Sequence, residues 1–97
     1  MNRCEPTRHT GTIHELKVHP QFWQPIRCGK KPFECRINDR KFRVGDLVRL
    51  REYDPKHGFT SEPTVTFLVT YMLEHEDFPN GVPRGYVILG FGDEEGV

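Results

Sequence analysis

The stretch Gly29-Lys30-Lys31-Pro32-Phe33-Glu34-Cys35-Arg36 joins a helix end to a strand that carries charge on one face. Gly29 accepts the left-handed backbone conformation that ends a helix at little cost. From residue 33 onward apolar and charged residues alternate, so Glu34 and Arg36 lie opposite Phe33, Cys35 and Ile37. We therefore predict a strand over residues 33–37 that buries its apolar face and presents a carboxylate beside a guanidinium.

Two lysines before this strand complete a candidate binding site. Lys30 and Lys31 stand at its start, next in sequence to the Glu34 and Arg36 pair. Ammonium and guanidinium groups bind phosphate or carbonyl oxygens, and a carboxylate accepts hydrogen bonds from the exocyclic amine of a base. We predict that the charged ends of Lys31, Glu34 and Arg36 meet in one cleft that faces the preceding helix.

The spacing Gly-x-Lys-x-x-Glu-x-Arg at positions 29, 31, 34 and 36 resembles the signature of the ASCH family, in the PUA-like superfamily. The resemblance covers residues 13–91, and its other matching segments are residues 14–17, 38–40, 44–46, 51–55 and 85–87. The similar sequences form a phage and bacterial branch that has no settled function. The resemblance implies an α+β fold, a small PUA-like mixed β-barrel of five to six short strands with one early α-helix and a cleft beside it.

The rest of the chain agrees with one helix among short strands. A strand is predicted over residues 13–18, with His14 packed or hydrogen bonded, and a helix over residues 20–28. Phe22, Trp23 and Ile26 share one side of that helix, and Pro25 is expected to distort it because proline lacks an N–H donor.

Later strands are predicted over residues 41–43, 47–53, 64–73 and 85–91. Alternation in the longest of them predicts one shared face for Val65, Phe67, Val69, Tyr71 and Leu73. The last strand is apolar throughout, which predicts that both of its faces are buried.

The length of 97 residues predicts one domain over residues 13–91, with a flexible tail over 1–12 and an acidic tail over 92–97. The sequence has no run of 18 apolar residues and no apolar signal segment, so we expect no membrane partner. Three cysteines without a C-x-x-C pair predict reduced thiols and a cytoplasmic protein, in the host cytoplasm if a phage encodes it. The spacing of histidines and glycines predicts no metal and no cofactor.

The net charge of zero hides a strong asymmetry along the chain. Residues 27–51 carry nine basic and three acidic residues, whereas residues 52–97 carry two basic and nine acidic ones. The basic segment predicts a nucleic-acid surface, and a solvated strand face is the alternative. We therefore expect a domain that binds RNA, a nucleobase or a nucleotide in a basic cleft. The residues predicted to surround the Lys31, Glu34 and Arg36 cluster are Lys17, Lys30, Arg40, Trp23 and Tyr53.

Two other functions stay open. Some small ASCH proteins deacetylate a modified cytidine and others are associated with ribonuclease activity, so the resemblance makes Lys31 a candidate catalytic residue. Glu34 stands where the deacetylase branch has threonine, and a carboxylate is a poor substitute for a hydroxyl nucleophile, although it could activate water as a general base. We therefore expect a binding protein rather than a hydrolase. The third possibility is a phage-type protein that binds a host protein through its acidic half.

Overall fold

The computed structural model describes residues 5–92, which form an α+β domain with six strands and one short helix. In chain order the elements are β1 (Ile13–Val18), α1 (Pro20–Arg27), β2 (Phe33–Ile37), β3 (Leu47–Asp54), β4 (Gly58–Phe59), β5 (Val65–Glu74) and β6 (Tyr86–Gly92). The predicted bounds of β1 and β2 are confirmed; those of α1 and β3 differ by one residue at the C-terminal end, and those of β5 and β6 are shifted by one residue at both ends. The strand predicted over residues 41–43 does not form, because Lys41 adopts a φ of 50°, which lies outside the extended region. No helix within residues 5–92 is long and apolar enough to span a membrane.

The strands form one mixed sheet in the order β1-β3-β5-β6-β2, and β4 pairs with the end of β3. β1 and β3 run parallel, and the other neighbours run antiparallel. The connection from β1 through α1 to β2 therefore leads from one edge of the sheet to the other. No backbone ladder joins these two edges within residues 5–92, so the sheet is not closed into the barrel that the resemblance implied.

Two arginine side chains join the edges instead. Arg36 on β2 donates from Nη1 to the backbone carbonyl of Lys17, 3.0 Å away, and Arg40 donates from Nη1 to the carbonyl of Glu15, 2.6 Å away. Both carbonyls belong to β1, so the sheet curls until its edge strands are within reach of one side chain. We call this line of contact between β1 and β2 the seam. Hydrogen bonds from charged donors are stronger than neutral ones, so these two contacts stabilise the curled sheet.

The hydrophobic core lies inside the curl, and α1 covers it. Trp23 and Ile26 are buried there, on one side of the helix as predicted, whereas Phe22 is exposed. Gly29 follows the helix with a φ of 84°, which confirms it as the left-handed residue after the helix end. Pro25 lies within the last turn of α1, and the helix continues past it to Arg27.

The prediction of which face β2 buries is wrong. Glu34 lies opposite Leu89 of β6 and Arg36 lies opposite Val87, and both β6 residues are fully buried, so the charged face points inward. The apolar side chains of β2 are exposed instead; these are Phe33, Cys35 and Ile37. The alternation is as predicted, but alternation alone does not determine which face meets the core. Cys35 is therefore a surface residue.

A bulge changes the faces of β5. The pairing of β5 with β6 shifts register between Val69 and Tyr71, which leaves Thr70 without a partner in the ladder. One extra residue exchanges the inner and outer faces of the strand beyond it. Tyr71 is consequently 65% exposed, and Met72 packs against the core in its place. The predicted shared face of five residues is therefore wrong beyond Val69.

The outer face of β2, β5 and β6 is apolar and open to solvent. Val87 and Leu89 of β6 are buried, but Tyr86 on the opposite face is 38% exposed, so burial of both faces of this strand is wrong. Phe33 and Ile37 of β2 are exposed on the same outer face.

The segment before β1 contacts the turn before β3. The backbone N–H of Thr10 donates to the carbonyl of Gly45, 3.0 Å away, and the Thr10 hydroxyl donates to Asp46. Asp46 is buried, accepts from the N–H of Arg43 and lies 2.8 Å from Nε2 of His14. Burial alone would raise the pKa of Asp46, but these hydrogen bonds and the charge of His14 outweigh it and lower the pKa. His14 is thus a packed, hydrogen-bonded histidine.

Candidate functional site

Glu34 is held between two cations beside α1. Its Oε1 lies 2.8 Å from Nζ of Lys31, and its Oε2 lies 3.3 Å from Nη1 of Arg36. Lys31 also donates to the carbonyl of Phe33, and its Nζ lies 4.9 Å from the ring centroid of Phe22 in α1. The structure thus brings Lys31, Glu34 and Arg36 together next to the helix. Both carboxylate oxygens are engaged within the cluster, and Glu34 is only 8% exposed.

The seam borders a cavity of about 300 Å³, which we call the basic cavity. Five of its lining side chains are cationic and one is anionic. The cations are Lys17, Arg36, Arg40, Arg49 and Arg51, and the anion is Glu15; Leu16, Phe59 and Thr64 complete the lining. A concave surface with this excess of positive charge attracts and concentrates anions.

The parallel pairing of β1 and β3 builds one wall of the basic cavity. Glu15 lies opposite Arg49, and Lys17 lies opposite Arg51. Nη1 of Arg49 lies 3.0 Å from Oε2 of Glu15, which neutralises that pair. Lys17 and Arg51 form no ion pair with a carboxylate within residues 5–92. Like charges placed side by side on neighbouring strands repel each other, so an anion bound between these two would be stabilising.

Aromatic rings contact Lys17 and Arg51, the two cations that form no ion pair within residues 5–92. Nζ of Lys17 lies 4.2 Å from the ring centroid of Tyr53, and Cζ of Arg51 lies 3.9 Å from that of Phe59. Tyr53 and Phe59 face each other across the β3–β4 hairpin, with their centroids 5.0 Å apart in an edge-to-face contact. Such cation–π contacts fix the position of a cation without neutralising it. Phe59 is 45% exposed, so part of its ring is open to a ligand.

A second cavity, of about 350 Å³, adjoins the basic cavity and shares Lys17 and Arg36 with it. We call it the outer cavity, because it reaches the apolar outer face of β2 and β6. Its remaining lining residues are His19, Cys35, Ile37, Asp39 and Tyr86. The two cavities therefore meet at the seam and differ in charge: the basic cavity is lined by five cationic side chains and one carboxylate, and the outer cavity by Lys17 and Arg36 with one carboxylate, Asp39.

Residues 13–91 match the family described as Domain of unknown function (DUF3850). The chain belongs to the DUF3850 family. The matched range contains every residue that lines the two cavities. The comparison with curated proteins gave no match. The family does not supply a function, so the functional proposal for this DUF3850 domain depends on the geometry of its site.

The structure separates the predicted site residues into those that line a cavity and those that do not. Lys17, Arg36 and Arg40 line the basic cavity of the DUF3850 domain. Tyr53 lies behind it, under Lys17. Lys31 and Glu34 line neither cavity; Glu34 contacts Arg36, and Lys31 contacts Glu34. Glu34 is therefore placed to orient the guanidinium of Arg36. This guanidinium has five N–H donors, more than its hydrogen bonds to Glu34 and to the carbonyl of Lys17 require.

Two predicted residues lie away from the cavities. Trp23 is 1% exposed, and its indole N–H donates to Oε1 of Glu62, 3.1 Å away. Its ring is closed to a ligand, although Trp23 was predicted to lie around the Lys31, Glu34 and Arg36 cluster; the helix uses this side chain to cover the core. Lys30 is exposed and lines neither cavity.

Sequence reasoning missed the two aromatic side chains that line the cavities. Phe59 ends β4, just after the hairpin loop over residues 55–57, and Tyr86 begins a strand that was expected to be buried on both faces. Placing Tyr53 and Phe59 as a cross-strand aromatic pair around that loop would have identified Phe59. No local signal marks Glu15, because its place in the site depends on the parallel pairing of β1 with β3. Within the described part of the chain, no three His, Cys, Asp or Glu side chains lie close enough to share a metal ion.

Proposed function

We propose that this DUF3850 domain binds a phosphate-bearing ligand, RNA or a nucleotide, in the basic cavity. The main support for the proposal is the position of Lys17 and Arg51. These two cations lie side by side in the cavity, and within residues 5–92 neither forms an ion pair with a carboxylate. Phosphate oxygens accept hydrogen bonds from both kinds of cation, and binding of a phosphate would remove the repulsion between them.

The aromatic lining favours a nucleotide over inorganic phosphate. Phe59 lines the same cavity as the cations and is 45% exposed, so a base could stack on its ring while its phosphate contacts Lys17 or Arg51. Basic grooves with interleaved aromatic rings are the common means by which proteins bind single-stranded nucleic acid. The net positive charge of residues 27–51, noted in the sequence, is concentrated at this cavity through Arg36, Arg40, Arg49 and Arg51.

We also propose that the domain is a relative of the ASCH and PUA-like domains. The ordered motif of Gly29, Lys31, Glu34 and Arg36 supports this kinship, as does a mixed sheet whose two edges come together. A cytoplasmic location would fit both the kinship and an RNA ligand.

Hydrolysis of a modified nucleoside is the less favoured function. A general base must accept a proton from water, and both oxygens of Glu34 already contact the cations Lys31 and Arg36. Glu34 also lines neither cavity. Binding of a host protein through the acidic second half stays open as an alternative, and it predicts no affinity for RNA.

Fluorescence anisotropy with a labelled single-stranded RNA at low salt tests the proposed function. The double variant Lys17→Gln/Arg51→Gln should bind about tenfold or more weakly, since each lost contact to a phosphate is a charged hydrogen bond. The matched control is Lys56→Gln/Arg84→Gln, which removes two positive charges at exposed positions outside both cavities and should bind like the wild type. Equal weakening in the two double variants, or no binding by the wild type, would contradict the proposal.

A further inference from the structure

We infer that the ligand is a single strand that crosses the seam, with one base in each cavity and the linking phosphodiester on Lys17 and Arg36. The inference rests on the proposed function and adds the form of the ligand to it. Lys17 and Arg36 line both cavities, so the boundary between the two cavities is cationic. A group that passes from one cavity to the other must cross these two side chains.

Each cavity offers one partly exposed aromatic ring. Phe59 lines the basic cavity and Tyr86 lines the outer cavity, and more than a third of each residue is exposed. Stacking of a base on an aromatic ring depends little on the identity of the base. One ring on each side of a cationic boundary matches the chemistry of a dinucleotide step, in which one phosphodiester separates two bases.

The outer cavity suits a base better than a phosphate. Beyond Lys17 and Arg36, its wall is formed by His19, Cys35, Ile37 and Tyr86, and its one carboxylate is Asp39, so it carries less net positive charge than the basic cavity. That carboxylate would repel a phosphate, but it can accept a hydrogen bond from an exocyclic amine. Volumes of about 300 and 350 Å³ are at the lower end of the range for small-molecule sites, which fits one nucleoside-sized group in each cavity.

A duplex and a mononucleotide both fit this arrangement less well. Bases in a duplex are stacked on one another and paired, so they cannot lie flat on Phe59 and Tyr86. A mononucleotide has one base and would leave one of the two rings without a partner. A single strand of at least two nucleotides uses both rings and the cations between them.

An NMR titration of the full chain with two small ligands tests the inference. The ligands are a 5′-phosphorylated dinucleotide and the nucleoside 3′,5′-bisphosphate that shares its first nucleoside. Both contain two phosphates, and the bisphosphate carries the greater negative charge, so a site that recognises charge alone would bind it at least as tightly. We expect the dinucleotide to bind roughly five- to a hundredfold more tightly, the range given by stacking of one additional base.

The variants Tyr86→Ala and Tyr86→Phe test whether the tighter binding of the dinucleotide arises in the outer cavity. Tyr86→Ala should weaken binding of the dinucleotide until its preference over the bisphosphate is lost, while Tyr86→Phe should retain the preference because it keeps the ring. Equal affinity of the wild type for both ligands, or a preference that survives Tyr86→Ala, would overturn the inference and leave the phosphate site in the basic cavity standing. Failure of both ligands and of longer RNA to bind would overturn the proposed function as well. The comparison of ligands on the wild type does not depend on how well any variant folds.

Discussion

Arg36 and Lys17 meet across the seam, where Nη1 of Arg36 donates to the backbone carbonyl of Lys17 over 3.0 Å. The same Nη1 lies 3.3 Å from Oε2 of Glu34, so one guanidinium connects the edge of β1 with the buried carboxylate of β2. Arg36 also lines both cavities. The residue that joins the two edges of the sheet therefore also lies at the centre of the candidate binding surface.

Arg36→Ala should destabilise the fold as well as weaken binding. The substitution removes the hydrogen bond to β1 and leaves Glu34 with Lys31 as its one remaining cation. Loss of charged hydrogen bonds of this kind costs about 1.5–3 kcal/mol in the free energy of unfolding, which urea denaturation measures. Arg43→Ala is the control, since the Arg43 side chain is exposed and the bond from its backbone N–H to Asp46 is retained. Equal urea midpoints for Arg36→Ala and the wild type would show that the seam contact does not contribute to stability.

The domain should not deacetylate a modified cytidine. Both oxygens of Glu34 contact cations, and no hydroxyl nucleophile stands at its position in the motif. Incubation with the acetylated nucleoside, followed by chromatography and mass spectrometry, should detect release of acetate no faster than in buffer. Turnover well above the uncatalysed rate that disappears in Lys31→Ala would instead establish a hydrolase.

Asp46→Asn should lower the free energy of unfolding at neutral pH. It should also make that free energy fall less as the pH is lowered. The pKa of Asp46 is lower in the folded protein than its ordinary value, so its ionised form favours folding. That contribution is fully present above the ordinary aspartate range, at about pH 4, and is lost as the pH falls through the lower pKa of the folded state.

Urea denaturation at several pH values measures this effect. At pH 7 the buried, hydrogen-bonded carboxylate should contribute about 1–3 kcal/mol relative to asparagine, and the difference should shrink below about pH 4. Glu76→Gln removes an exposed carboxylate and should match the wild type throughout. A difference between Asp46→Asn and the wild type that stays constant down to low pH would contradict the proposed role of the ionised group.

Fluorescence should report the fold and not the ligand. Trp23 is the one tryptophan of the chain and is buried under α1, so acrylamide should quench it weakly in the folded protein and strongly in urea. Saturating RNA should leave its emission almost unchanged, because no base can stack on a side chain that lines neither cavity. Strong quenching by RNA at unchanged stability would place the ligand at α1 instead.

The elements could be predicted from the sequence because their signals are local. Alternation fixed the bounds of β1 and β2, and Pro20 and Gly29 marked the start and the end of the helix region. The inner face of β2 could not be predicted in the same way. Its charged face turns inward because Glu34 is paired with Leu89 of β6, and that partner lies far away in the sequence.

The site itself depends on pairings that no local pattern shows. Lys17 and Arg51 become neighbours through the parallel pairing of β1 with β3, and Tyr71 is exposed because of a bulge at Thr70. The excess of basic residues in the middle of the chain predicted a cationic surface. It did not predict that Arg36 and Arg40 would reach across an open sheet to the carbonyls of β1.

The salt dependence of RNA binding is the most direct measurement of phosphate contact in the basic cavity. Affinity for a single-stranded RNA would be measured from about 50 to 200 mM salt for the wild type, Lys17→Gln/Arg51→Gln and Lys56→Gln/Arg84→Gln. Each phosphate contact on a single strand contributes about −0.7 to the slope of log affinity against log salt. Three contacts predict a wild-type slope of about −2, which should flatten by about 1.4 in the Lys17 and Arg51 variant and stay unchanged in the control. Affinity that does not vary with salt, or one slope shared by all three proteins, would contradict phosphate binding in this cavity.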